Sequence, residues 1–198
     1  MKLTRIYQTL ENRGNQLDVE SHGPYWCSLC DKDGNLKRGI REPWLGEGYY
    51  FWDSIIKDAH WWGKTACSGN YYICQTEYDQ HSPDLLDAVG DMETLESLAK
   101  AASLLREELQ VSSITFPTLL HYLKKMDSFH YHAIRVSPRA SRYSQSELPI
   151  AYFPSNPGNA PLAIYPNDKV QICFFDKQLL VHPYKIIYPE PLSDDYTI

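Results

Sequence analysis

The chain has 198 residues, which is enough for one compact domain and short for two. Its 19 basic and 25 acidic residues give a formal net charge of -6, which argues against a broad basic surface for duplex nucleic acid. It has no run of about 18 apolar residues, so no membrane partner is expected. The first residues lack the apolar stretch of a secretion signal, and the cysteine count is odd. These two features predict reduced thiols and a cytoplasmic location.

The first part of the chain is predicted to fold as strand, helix and loop. Residues 4–9 have the composition of a short strand. Residues 15–22 predict a short helix, which Gly23 and Pro24 would end. Residues 31–48 are rich in charged residues and turn formers, so we expect a loop there.

The next segment contains a dense group of aromatic residues. Residues 25–78 include all five Trp of the chain, a pattern typical of a core or of a platform for a planar ligand. Within it, residues 49–52 predict a strand, and residues 54–62 predict a helix from their apolar spacing. Asp53 is predicted to cap this helix and Gly63 to end it.

The remainder is predicted as a strand, two helices and further strands. Asp91 is expected to cap a helix over residues 92–110, whose leucines and alanines form one apolar stripe. A third helix is expected at 115–126, with Pro117 in its first turn. The predicted strands are 70–78, 129–136, 169–175 and 179–188, with a loop at 137–168 and a tail at 189–198. This order predicts one α+β domain over residues 1–188 with a mainly antiparallel sheet.

Cys27 and Cys30 have the spacing of a zinc or thioredoxin-like pair. A structural zinc site needs four ligands, and no second pair with a matching spacing is present. The sequence therefore favours two partly buried thiols, and no metal site is predicted.

One segment resembles a known motif. Residues 46–53 read Gly-Glu-Gly-Tyr-Tyr-Phe-Trp-Asp, and Ala59, His60 and Trp61 follow. This pattern resembles the second motif of the ADP-ribosyltransferase superfamily, in the branch of the poly(ADP-ribose) polymerases and diphtheria-type toxins. The resemblance extends over roughly residues 4–188. It implies the fold of that family, with mainly antiparallel, split β-sheets and flanking helices.

The resemblance implies roles for the residues of this motif. In the family, two aromatic residues eleven positions apart sandwich the nicotinamide ring of NAD. Tyr50 and Trp61 have this spacing and would take those roles. Gly48 would let the backbone approach the ligand, because glycine has no Cβ.

The first motif of the family lies on an early strand, where residues 6–9 fit by position. Gln8 stands where the family usually has His or Arg, and it would hydrogen-bond the adenosine ribose, with Thr9 beside it. The segment at 37–40, Lys-Arg-Gly-Ile, is a chemically better match. It lies too close to Gly46 for an intervening helix, so Gln8 is preferred.

The third motif opens a late strand, which residues 170–175 resemble. The catalytic glutamate of the family would fall on Gln171, which can bond the nicotinamide ribose but supplies no negative charge. The alternative is Glu147, because residues 145–147 read Gln-Ser-Glu and fit the Gln-x-Glu pattern of the arginine-specific branch.

The resemblance implies NAD as substrate, cleaved or used to transfer ADP-ribose to a macromolecular acceptor, either a protein or a nucleic acid. Toxins and defence effectors of this fold act in this way. Two alternatives remain: a binding module of the same fold that has lost catalysis, and an unrelated α+β fold with an aromatic core. If the first interpretation holds, Gln8, Tyr50 and Gln171 should converge on one cleft.

Overall fold

A sheet of seven strands organises the chain. The computed structural model describes residues 1–31, 33–37, 43–137, 151–152, 163–164 and 169–189. In chain order its elements are β1 (Leu3–Glu11), α1 (Gln16–His22), β2 (Tyr49–Asp53), α2 (Ile56–Ala66), β3 (Tyr71–Asp79), β4 (Leu85–Asp87), α3 (Met92–Leu109), α4 (Phe116–Leu123), β5 (Ala133–Val136), β6 (Ala151–Tyr152), β7 (Ala163–Ile164), β8 (Gln171–Phe174) and β9 (Leu180–Tyr188). None of the helices in these ranges is both long and apolar enough to cross a membrane.

The strand order in the large sheet is β4-β5-β8-β2-β1-β3-β9, and β6 pairs separately with β7. Neighbouring strands of the large sheet are antiparallel, apart from the parallel pair of β4 and β5. The α+β class and the mainly antiparallel sheet predicted from the sequence are therefore confirmed. The short strand β4 was not predicted.

The sheet has two buried faces, because side chains alternate along each strand. The α2 face carries Tyr7, Trp52 and Cys173, and it is covered by α2 on one half and by α3 and α4 on the other. The α1 face carries Ile6 and Phe51, and it packs against α1 and inward-facing side chains of β9.

The predicted starts of the two longer predicted helices, at Asp91 and Thr115, are confirmed. The carboxylate of Asp91 accepts a hydrogen bond from the backbone N–H of Glu93 at 2.9 Å, which caps α3. The hydroxyl of Thr115 accepts from the N–H of Thr118 at 3.3 Å and caps α4. Both caps satisfy N–H groups that have no partner inside the helix.

The prediction that Asp53 caps the next helix is wrong. Asp53 ends β2, and its buried carboxylate accepts a hydrogen bond from Nε of Arg135 at 2.7 Å. Ser54 then has a left-handed backbone conformation, and α2 begins at Ile56 without a side-chain cap. The Asp53 carboxylate, which the local sequence assigns to the helix cap, is instead part of a buried ion pair with Arg135.

The prediction that Gly63 ends α2 is also wrong, because the helix continues to Ala66. Gly63 lies against the ring of Tyr71, where an added Cβ would be 2.4 Å from Cγ. The glycine is explained by this close approach of α2 to β3.

Candidate functional site

The three strands predicted to carry motifs are neighbours in the sheet, in the order β8-β2-β1. Tyr7 lies opposite Trp52, and Trp52 lies opposite Gln171. Tyr50 lies opposite Cys173 two residues along β2. Directly paired residues of antiparallel strands have their side chains on the same face, so all five lie on the α2 face.

Three tryptophans meet where α2 packs on this face, and we call Trp52, Trp61 and Trp62 the tryptophan corner. Trp52 is only 4% exposed, and its ring centroid lies 5.9 Å from that of Trp61 and 6.2 Å from that of Trp62. Trp61 is 40% exposed. The hydroxyl of Thr9 donates to the carbonyl of Ala59 at 2.9 Å, which ties α2 to β1. The indole of Trp61 is thus partly exposed to solvent while Trp52 and Trp62 hold it in place.

A lysine covers part of this exposed indole. Nζ of Lys169 lies 3.1 Å from the ring centroid of Trp61, which is a close cation–π contact. Lys169 comes two residues before Gln171 and is half-buried. Lys169 could not be identified from the sequence, since nothing along the chain relates it to α2.

Gln171 contributes a hydrogen-bond acceptor without a donor. The residue is 9% exposed, and Oε1 has no hydrogen-bond partner in the part of the chain that the structure describes. Buried polar atoms are nearly always paired, because an unpaired one costs about 1–3 kcal/mol. Trp52 lies opposite Gln171 and also contacts Trp61, so these two predicted site residues lie on the same face of the sheet.

Tyr50 also lies on this face, but its hydroxyl is engaged. It accepts a hydrogen bond from the N–H of Leu45 and donates one to the carbonyl of Gly46, both at 2.7 Å. Burial raises the pKa of Tyr50 well above its usual range, so the hydroxyl stays protonated. The described aromatic neighbours of Trp61 are Trp52 and Trp62, and the stacking role of Tyr50 stays a prediction.

Gly48 has a structural reason to lack a side chain. It exchanges backbone hydrogen bonds with Cys27 at 2.8 and 3.1 Å. A Cβ at this position would lie 2.4 Å from Sγ of Cys173 and 2.7 Å from the carbonyl oxygen of Phe174. Close packing against β8 accounts for the glycine, and its predicted role in approaching a ligand is untested.

Gln8 does not share the α2 face. It lies opposite Cys74 on the α1 face, so Gln8, Tyr50 and Gln171 do not converge as expected. Its Nε2 donates to the carbonyls of Tyr25 at 2.9 Å and Tyr50 at 3.3 Å. Its Oε1 accepts from the N–H of Tyr25 at 2.9 Å and the hydroxyl of Tyr184 at 2.7 Å. The amide holds a loop against the sheet.

Several alternatives fall partly or wholly outside the described residues. Glu147 lies outside them, as do Arg38 and the tail after residue 189. Among the residues that are described, no group of three or more His, Cys, Asp or Glu side chains could hold a metal ion.

The α1 face contains an ionic network that sequence reasoning missed. Arg135 of β5 donates through Nε to Asp53 and through Nη1 to Asp87, the latter at 3.1 and 3.2 Å. Asp87 also accepts from the N–H groups of Val89 and Gly90, both at 2.9 Å. The network crosses β8 on the face opposite Gln171 and holds β4, β5 and β2 together.

Comparison with protein families, with curated proteins and with solved structures found no match to this chain.

Proposed function

We propose that this protein binds NAD at the tryptophan corner and transfers its ADP-ribose to a macromolecular acceptor, in the manner of an ADP-ribosyltransferase. The observation that carries the proposal is the buried Oε1 of Gln171, which has no donor among the described residues, directly across from Trp52 and on the face of the exposed Trp61. An aromatic surface beside an unsatisfied acceptor suits a planar ring attached to a hydroxyl-bearing sugar.

In this proposal the nicotinamide ring stacks on the indole of Trp61. A flat ring on a flat ring buries apolar surface with little loss of side-chain freedom, since Trp61 is already held by Trp52 and Trp62. A hydroxyl of the adjacent ribose donates a hydrogen bond to Oε1 of Gln171, a partner that the described residues do not supply. Tyr50 forms a wall of the site further along β2.

The reaction would break the bond between the ribose C1 and the nicotinamide nitrogen. Nicotinamide leaves with the bonding electron pair and becomes neutral, and positive charge develops on the ribose. A nucleophile of the acceptor then bonds to C1 and releases its proton. The oxygen of Gln171 points the negative end of its dipole at the ribose, which stabilises this charge less than a carboxylate would.

A second candidate is an NAD-binding module that does not turn NAD over. The amide of Gln171 favours it, because an amide orients a ribose without supplying charge. The hydrogen bonds of Gln8 favour it as well, since the protein itself fills the capacity of that side chain.

Calorimetry with NAD and chromatographic detection of released nicotinamide separate these candidates. Trp61→Ala and Gln171→Met should each weaken NAD binding, the second by removing the acceptor while keeping the side-chain length. Trp26→Ala is the matched control. Trp26 is an exposed tryptophan packed edge-on against Tyr49, which points to the face opposite Tyr50.

Binding with nicotinamide release, and with labelled ADP-ribose transferred to proteins or nucleic acids of a cell extract, would support the transferase. Binding without release would support the module. NAD binding that is absent, or that both site variants leave intact, would refute the proposed site.

A further inference from the structure

The contact between Lys169 and Trp61 bears on which ligands the tryptophan corner accepts. Nζ of Lys169 lies 3.1 Å from the centroid of the Trp61 ring. A stacked ligand ring needs about the same position, so the ammonium and the ring compete for this face of the indole. Every ligand that stacks on this face must therefore displace Lys169.

We infer that Lys169 determines specificity at this site by favouring ligands that carry phosphate. The inference rests on the proposed function. Among the described residues, no salt bridge ties the Lys169 ammonium to a carboxylate, so the described part of the chain leaves this cation to meet an anion of the ligand. A dinucleotide offers its pyrophosphate to that charge, which compensates for the lost cation–π contact. Free nicotinamide has no anionic group, so it must displace Lys169 from the Trp61 ring without a compensating contact.

This arrangement has a consequence for turnover. Once the glycosidic bond is broken, nicotinamide is a neutral ring with no link to the phosphates. The return of Lys169 to the indole then favours its release. Lys169 thus distinguishes the whole dinucleotide from its own cleavage product.

The test measures the affinities of wild type and of Lys169→Gln for two ligands, NAD and nicotinamide, by tryptophan fluorescence and calorimetry. Lys169→Gln should tighten nicotinamide binding roughly two- to fivefold, because the competitor is gone. The same variant should weaken NAD binding roughly fivefold, because the phosphate partner is gone. Lys169→Arg keeps charge and stacking and should leave both affinities within about twofold.

Lys124→Gln is the matched control, since Nζ of Lys124 lies 3.4 Å from the centroid of the Phe175 ring, a similar contact away from the tryptophan corner. It should change neither affinity. Opposite shifts for the two ligands in Lys169→Gln would support the inference. If wild type binds NAD but Lys169→Gln weakens the binding of both ligands or leaves nicotinamide binding unchanged, the inference is overturned. The proposed function then stands. If wild type binds no NAD, both are refuted.

Discussion

The ion pair between Arg135 and Asp53 allows a quantitative prediction of stability. The side chain of Asp53 is 2% exposed and that of Arg135 is 11% exposed, with 2.7 Å between Nε and the carboxylate oxygen. Replacing Arg135 with Met keeps most of the side-chain volume and removes the only cation that the structure shows within salt-bridge distance of Asp53 in the described residues. The carboxylate would then be left buried and uncompensated.

Removing one partner of a buried ion pair costs about 3–5 kcal/mol. Most of this cost should come from Asp53, whose one remaining side-chain donor among the described residues is the hydroxyl of Ser54, at 2.9 Å. Asp87 should contribute less, because it is more exposed and keeps two backbone N–H donors. A loss of about 4 kcal/mol is a large part of the total of roughly 5–15 kcal/mol that is typical of folded domains.

Urea unfolding, followed by tryptophan fluorescence, measures this change. Arg135→Met should lower the midpoint by more than about 1 M urea. The double variant with Asp53→Asn should recover part of the loss, because the stranded charge is removed. Arg5→Met removes an exposed pair with Glu77 and should cost about 0–1 kcal/mol. A cost below about 1 kcal/mol for Arg135→Met, or a double variant no more stable than the single one, would refute the reasoning.

Three further predictions concern the site and its support. Gln171→Glu should raise nicotinamide release at least about tenfold, because a carboxylate stabilises the developing ribose cation; unchanged release from a variant that still binds NAD would contradict the transferase role. Gly63→Ala should lower the free energy of unfolding by about 1–3 kcal/mol through the clash with Tyr71, with the exposed Lys64→Ala as control in the same denaturation assay. Burial raises the pKa of Cys74 to about 11 and that of Cys173 to about 12, from an ordinary value of 9.0. The stability that these neutral thiols contribute is fully present below pH 9.0, the ordinary thiol pKa, and is lost as the pH rises toward their raised pKa values. The urea midpoint of unfolding should therefore fall from neutral to alkaline pH. It should fall less in the variant with both cysteines replaced by Ala.

Local signals predicted most of the secondary structure. Asp91 and Thr115 cap helices because a side-chain oxygen needs only to reach an N–H two or three residues away. Asp53 failed as a cap for the opposite reason. Its partner Arg135 is 82 residues away, and no local pattern indicates such a pair. The short strand β4 was missed because its three residues carry too little pattern to read.

The site was predicted only in part. The resemblance assigns Trp61 and Gln171 to the site, and both lie on the α2 face. The same resemblance assigned Gln8 to the site, but strand alternation turns it to the other face. A shift of one residue in register reverses every side chain of a strand, so position along the chain could not decide this.

The sequence by itself determined the α+β class, the starts of α3 and α4 and the concentration of aromatic residues around β2 and α2. These properties depend on composition and on contacts a few residues apart. The tertiary structure alone decided which aromatics are buried, which face Gln8 takes, and that Lys169 lies on Trp61, 108 positions earlier in the chain. Such contacts depend on strand pairing and on the packing of α2 on the sheet, which bring distant residues together without leaving a local pattern.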